Sequence, residues 1–230
     1  PSGSRSSSGG DVDPRLSEVT SASLTDAVGR HFDHRCHVLD LRSPTPDRVV
    51  FGPAATLRYL PRRADGYDAA RHNFGRLFYE ATGGTDGATR PGCVLVISAE
   101  GAEVSVGGGT KLSRLHHHGL AGIVTNGRLR DFEELRGYDF GAWCAGETVR
   151  WGGDTLMPWS AGEVVSLRGV TVRPGDYVYA DAAAVVVIPE SHVDVVLDEA
   201  MRVEAEDRGY LDRIRTEDPS KVLRGHSDET

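Results

Sequence analysis

The run Cys93 to Ser98 (CVLVIS), entered through the turn Arg90-Pro91-Gly92, is apolar throughout. Strict alternation marks a strand with one wet face, whereas a short uninterrupted apolar run marks a strand covered on both faces, as in the parallel sheets of α/β proteins. Downstream come a glycine triplet, Gly107-Gly108-Gly109, a helical stretch from about Thr110 to His118, and a second apolar strand, Ala121 to Thr125 (AGIVT). Strand, helix and strand in that order form a βαβ-like unit, so the expected fold class is α/β. Open α/β sheets bind ligands outside the carboxyl ends of their strands, and the chemistry is expected in this unit.

The flanking segments fit the same class. Twenty-eight glycines and 11 prolines in 230 residues imply many short strands and tight turns and exclude a coiled coil. Ser23 or Thr25 is a candidate N-cap for a first short helix, and Arg48 to Leu60 reads as an extended segment interrupted at Gly52-Pro53. Asp68 to Ala81 reads as a helix. Val164 to Val172, the turn Arg173-Pro174-Gly175-Asp176, Tyr177 to Ala180 and Ala184 to Ile188 read as short strands in succession. From Pro189 a helical pattern runs through Val193, Val196, Leu197, Ala200 and Met201 toward Leu211. One domain over 14–215 is expected, between a disordered Ser/Gly-rich tail over 1–13 and a charged tail over 216–230.

Charge and cysteine content narrow the function. Thirty-four acidic residues against 26 basic ones give a net charge of −8, which argues against binding nucleic acid or an anionic membrane through bulk charge. Cys36, Cys93 and Cys144 lie far apart without a CxxC pair, so neither a disulfide framework nor a structural zinc site is signalled. The longest apolar runs are too short to span a bilayer and no secretory leader is read, so a cytoplasmic protein is expected.

Two turns carry the candidate chemistry. Gly107-Gly108-Gly109 precedes a helix, so free amides and the positive end of the helix dipole face any approaching anion. The loop Asn126 to Glu134, after the next strand, sets the guanidinium of Arg130 beside the metal-capable carboxylate of Asp131. Together they describe a site for an oxyacid and a divalent cation.

The spacing joins the two turns. Gly109, twenty intervening residues, Arg130-Asp131, two more residues and Glu134 form the pattern G-x20-R-D-x2-E, which resembles the RraA-like family, a group that includes divalent-metal-dependent 4-hydroxy-4-methyl-2-oxoglutarate aldolases. The resemblance extends over roughly 21–200. Leu24-Thr-Asp-Ala-Val is similar to the family's opening helix, Phe51-Gly-Pro-Ala-Ala-Thr to its GPA-x-T strand, and Leu120 to Asp131 to its central strand and loop. Val172 to Asp181 and Val185-Val-Val-Ile-Pro are similar to its PGD-x-V-x-AD and VVVVP ending.

The resemblance implies a swivelling β/β/α domain, assembled as a homotrimer or a dimer of trimers, and a lyase acting on a small 2-oxo acid through an enolate. Asp131 would hold Mg2+ or Mn2+, Arg130 would bind the 2-oxo oxygen, Glu134 would orient metal-bound water, and amides across Gly109 to Leu112 would hold the 1-carboxylate. The substrate set is then Gly108, Gly109, Thr110, Lys111, Leu112 and Arg130. The family also implies a non-catalytic alternative, a ring-shaped regulator binding an RNase E-type ribonuclease, and a third reading keeps the enolate but dehydrates, isomerises or condenses it.

Several positions depart from the family pattern. Gly109 stands where some family aldolases carry an acidic residue, which leaves the general base unassigned; Asn126 replaces the usual Asp, Cys93 an acid, and Ala184 a glycine. His116-His117-His118, Trp143, Trp151 and Trp159 are also unlike the common pattern and imply a rebuilt, specialised pocket.

Rival residues carry less. Lys111 and Lys221 are the chain's lysines, and Lys111 reads as a helix-start or carboxylate-contact residue rather than a Schiff base. Consecutive histidines on a helix point about 100° apart and cannot share one metal, although one could face the pocket. His31, His34, Cys36 and His37 lack a zinc framework and read as structural or surface residues. Asp176 and Asp181 read as turn-makers, and Glu190 as a residue able to reach a neighbouring subunit's site.

Overall fold

The structure is a computed structural model that describes residues 13–83 and 89–224. The Ser/Gly-rich stretch 1–12 and the last six residues of the charged tail lie outside the described residues. Asp13, assigned above to the tail, caps a 3-10 turn at Pro14–Ser17 by accepting from the Arg15 amide.

The elements are α1 (Ser21–His31), β1 (His37–Val38), β2 (Val50–Pro61), α2 (Phe74–Thr82), β3 (Val94–Ser98), β4 (Ser105–Gly107), α3 (Gly109–His117), β5 (Gly122–Thr125), β6 (Arg128–Leu129), α4 (Phe132–Arg136), β7 (Gly141–Trp143), β8 (Leu156–Ala161), β9 (Val165–Leu167), β10 (Val170–Val172), β11 (Tyr177–Ala180), β12 (Val185–Ile188), α5 (Val193–Ile214) and α6 (Pro219–Leu223). The main sheet runs β1-β12-β11-β2-β3-β5-β7, with β8 paired to β2. Its centre, β2-β3-β5-β7, is parallel, as the βαβ reading requires.

Alternation along the central strands explains why they read as continuous apolar runs. Leu95 and Ile97 of β3 join Ile123 and the apolar faces of α2, α3 and α4 in one core, while Val94, Val96 and Val124 join the β9–β10 hairpin in another. Both faces are therefore dry, and every residue of β3 is buried. Tyr179, Val186 and Ile188 anchor a third core beneath α1 and α5. Sheet, hairpin and helices thus form the β/β/α layering.

Four local expectations change. The first helix is capped by Thr20, not Ser23 or Thr25; Ser23 supplies the return bond of a capping box, and Thr25 donates to the Ser21 carbonyl. The extended segment is not interrupted at Gly52-Pro53. β2 runs through it, because the absence of a side chain at Gly52 lets the Gly92 carbonyl approach to 2.0 Å from where a Cβ would stand. Helix formation after Asp68 waits until Asn73, which caps α2, while Asp68 closes a turn on the Ala70 amide. Val164 to Val172 divides into the β9–β10 hairpin at Arg168-Gly169, both left-handed. Among the described residues, no helix is long and apolar enough to cross a membrane.

Candidate active site

The two turns meet because β4 and β6 pair in parallel, Ser105 opposite Arg128 and Gly107 opposite Leu129. The ladder continues as Arg130 donates its amide to the Gly107 carbonyl at 2.9 Å. Asp131 then turns left-handed (φ 60°, ψ 45°), a conformation uncommon for a non-glycine residue. It stands at the start of α4 without capping it; instead its Oδ2 accepts the Gly109 amide at 3.1 Å across the gap.

Two successive glycines make this approach possible. A Cβ on Gly108 would lie 2.5 Å from Asp131 Oδ2, and a Cβ on Gly109 would lie 1.8 Å from Glu134 Oε2. Each glycine therefore seats one carboxylate, which gives the spacing its steric reason. The Glu134 carboxylate accepts the Tyr138 hydroxyl at 2.8 Å, and that bond raises the phenol's pKa.

A cavity of about 420 Å³ opens over the junction, within the size range of small-molecule sites. Gly107, Gly108, Thr110, Lys111, Arg130 and Asp131 line it, together with Phe74, Gly75, Ser105, Arg114 and Trp151. Arg130 and Asp131 are each 39% exposed at the side chain, and the Arg130 Nε lies 3.9 Å from Asp131 Oδ2. The Lys111 ammonium sits 5.3 Å from the centre of the Phe74 ring and 3.4 Å from the Val106 carbonyl. Burial first, then the charges of Arg114 and Arg130, hold its pKa below the usual lysine value.

Not every proposed site residue enters the cavity. Leu112 is fully buried in the core beneath α3, and its amide donates to the Gly108 carbonyl. With the Gly109 amide taken by Asp131, the first-turn amides of Thr110 and Lys111 remain for an anion, a narrower set than Gly109 to Leu112. Glu134 stands beside Gly109 rather than in the cavity wall. None of the three histidines lines the cavity: His116 pairs with Asp139 at 2.6 Å, and His118 packs on Phe78 and Tyr79. Of the three tryptophans only Trp151 reaches it, since Trp143 is buried and Trp159 stacks on His72. Asp176 and Asp181 accept backbone amides, as turn-makers do.

Trp151, one of the positions that implied a rebuilt pocket, lines the cavity, whereas Arg114 and Phe74 had not been expected there. Arg114 carried a usable signal, because Lys111 and Arg114 stand three residues apart on one helix face. Phe74 carried none; it arrives from α2, while Trp151 is brought in by a bridge to Ser105.

The donor set suits one class of cation. Mg2+ and Mn2+ favour oxygen ligands, and Mg2+ keeps several waters and uses one or two carboxylates rather than an all-protein cage. Asp131 is the acidic residue of the cavity wall, and among the described residues no three His, Cys, Asp or Glu side chains converge. One carboxylate with water and ligand oxygens fits such an ion.

A β/β/α fold with an arginine-aspartate couple over a glycine-opened helix defines the class. The chain belongs to the RraA-like family, Aldolase/RraA, whose model matches residues 21–187. It is 32% identical over 162 residues to the Halalkalibacterium halodurans protein named "Putative 4-hydroxy-4-methyl-2-oxoglutarate aldolase", covering 70% of this chain and 69% of that protein. Protein DlpA of Legionella pneumophila is 24% identical over 206 residues, which cover 88% of this chain but 31% of DlpA, so the chain spans about a third of that relative. The solved structure of Streptomyces coelicolor RraAS2, described as an unusual member of the RNase ES inhibitor RraA protein family, is similar with a TM-score of 0.74 and 28% identity, over 90% of this chain and 98% of RraAS2.

Proposed function

We propose that the chain is a divalent-metal-dependent lyase that cleaves or forms a C–C bond, or decarboxylates, next to the carbonyl of a small 2-oxo acid. The observation that carries this reading is the shared cavity: Arg130, Asp131 and the first turn of α3 line one space. The name of the Halalkalibacterium relative supports the same chemistry.

The roles follow from charge. Breaking the bond leaves an enolate, whose developing negative oxygen must meet preorganised cations rather than reorienting water. Arg130 stands ready to bind that oxygen through its fork of donors. The Thr110 and Lys111 amides hold the 1-carboxylate at the positive end of α3. Asp131 would hold Mg2+ or Mn2+, which when bound supplies Lewis-acid stabilisation of negative oxygen. The Asp131 bond to the Gly109 amide fixes the carboxylate relative to the helix that binds substrate. Glu134, anchored by Tyr138, positions that same turn from behind.

The test is release of pyruvate from 4-hydroxy-4-methyl-2-oxoglutarate or oxaloacetate. Activity is expected to vanish with EDTA and return with Mg2+ or Mn2+. Asp131→Ala and Arg130→Ala are each expected to lower kcat about 10²–10³-fold. Undiminished pyruvate release by Asp131→Ala ends this reading.

A second reading rests on the likeness to RraAS2: a ring-shaped regulator that binds an RNase E-type ribonuclease without turnover. Inhibition of such a ribonuclease by the Asp131→Ala protein, with no lyase activity in the parent chain, would favour it.

A further inference from the structure

The cavity holds more positive charge than the lyase roles use. Lys111, Arg114 and Arg130 all line it, against the single carboxylate of Asp131. Arg130 and Asp131 belong to the reacting end. Lys111 and Arg114 have no carboxylate within 4 Å among the described residues, whereas Arg130 at the same cavity has Asp131 beside it. Their hydrogen bonds are long and go to backbone: Lys111 Nζ to the Val106 carbonyl at 3.4 Å, and Arg114 Nη1 to the Lys111 carbonyl at 3.3 Å. Most of their donors therefore point at no protein acceptor.

Two cations held together without a counter-ion repel each other, and burial adds to the cost. The fold keeps them together all the same. Both are propped on Phe74, the ammonium 5.3 Å and the guanidinium 6.0 Å from the ring centre, so the aromatic face replaces part of their lost hydration. Phe74 and Gly75 are the opening residues of α2, whose dipole adds positive potential to the same wall. Trp151, 65% exposed, forms an apolar edge at the mouth.

We propose that Lys111 and Arg114, resting on Phe74 with Trp151 beside them, form a second oxyanion subsite that selects substrates carrying a carboxylate or phosphoryl group at the end remote from the 2-oxo acid, behind an apolar spacer. The proposal rests on the reading that Arg130 and the start of α3 bind the 2-oxo acid end. It assigns Arg114 a specificity role and leaves bond cleavage to Arg130 and Asp131.

The test is equilibrium binding by calorimetry to the full chain, so that it does not depend on turnover. Three probes share a 2-oxo acid head: 2-oxoglutarate, its analogue with a distal phosphonate, and 2-oxohexanoate, whose tail is uncharged. One or both dianionic probes are expected to bind at least about tenfold tighter than 2-oxohexanoate, the gain of one charge-assisted contact. The larger gain tells a carboxylate site from a phosphoryl site. Arg114→Met is expected to erase the gain while leaving 2-oxohexanoate affinity unchanged, and Arg114→Lys to restore part of it. A thermal melt of each variant shows that it is folded. Equal affinity for all three probes, an equal loss for all three in Arg114→Met, or no binding of any probe overturns the proposal. Discrimination that persists in a protein with no lyase activity sinks the lyase reading alone; turnover without discrimination sinks the subsite alone.

Discussion

Charges gather in two regions of this molecule, and the two are built on opposite rules. At the seam of α1 and α5, Glu199 is buried and bonds both Arg30 and Arg202. Nearby, Arg15 reaches Asp13, Asp194 and Asp198 at 2.6–2.7 Å. Glu199 and Arg15 each have opposite charges within reach, and the Arg30–Glu199 pair ties α1 to α5. In the cavity Lys111 and Arg114 have none, and Arg130 meets Asp131 only at 3.9 Å. Paired charges hold the fold; unpaired ones in a cavity are a cost that a ligand relieves.

The comparison can be broken by measuring stability. The largest loss is expected when both partners of Glu199 are removed: Arg30→Met with Arg202→Met leaves a buried carboxylate unpaired, at a cost of about 3–5 kcal/mol in denaturant unfolding. Glu199→Gln is expected to cost less, about 1–3 kcal/mol, because the arginines it abandons are half exposed and return to water. Arg15→Met is smaller again, about 1 kcal/mol, since Asp194 and Asp198 are mostly exposed.

At the cavity the expected sign changes. Arg114→Met should leave stability within about 0.5 kcal/mol of the parent chain, because no ion pair is lost. A loss as large as at the seam would show that the cavity cations are structural. The pH dependence sharpens this. The folded-state pKa of Lys111 lies below its ordinary value of 10.5, so the folded protein releases that proton first. Its burial penalty is present in full below the folded pKa and is relieved as pH rises from there to about 10.5, so this residue makes stability rise with pH across that window. Lys111→Met should flatten the rise in urea midpoints measured between pH 8 and 10.5.

Much of the fold was legible. The CVLVIS run, the AGIVT strand and the helical pattern after Pro189 appear as β3, β5 and α5, because burial on both faces or along one helix face leaves a direct mark on composition. The cap at Thr20 and the delayed start of α2 were misplaced, since several Ser, Thr, Asp and Asn residues compete for each cap and only chain direction chooses among them. At the site, the Gly109 to Glu134 spacing could be read, but its cause could not. That cause is a two-residue ladder between β4 and β6, too short to leave a periodic signal.

By itself the sequence determined the layered α/β fold, the family, and the pairing of a glycine turn with an arginine-aspartate couple, because each depends on residue types at fixed separations along one chain. Tertiary structure alone decided that Glu134 lies behind Gly109 rather than in the wall, that Leu112 turns into the core, and that Phe74, Arg114 and Trp151 complete the cavity. These outcomes depend on how separate elements cross in space, where a step of one residue along a helix, about 100° around its axis, exchanges a core residue for a binding one.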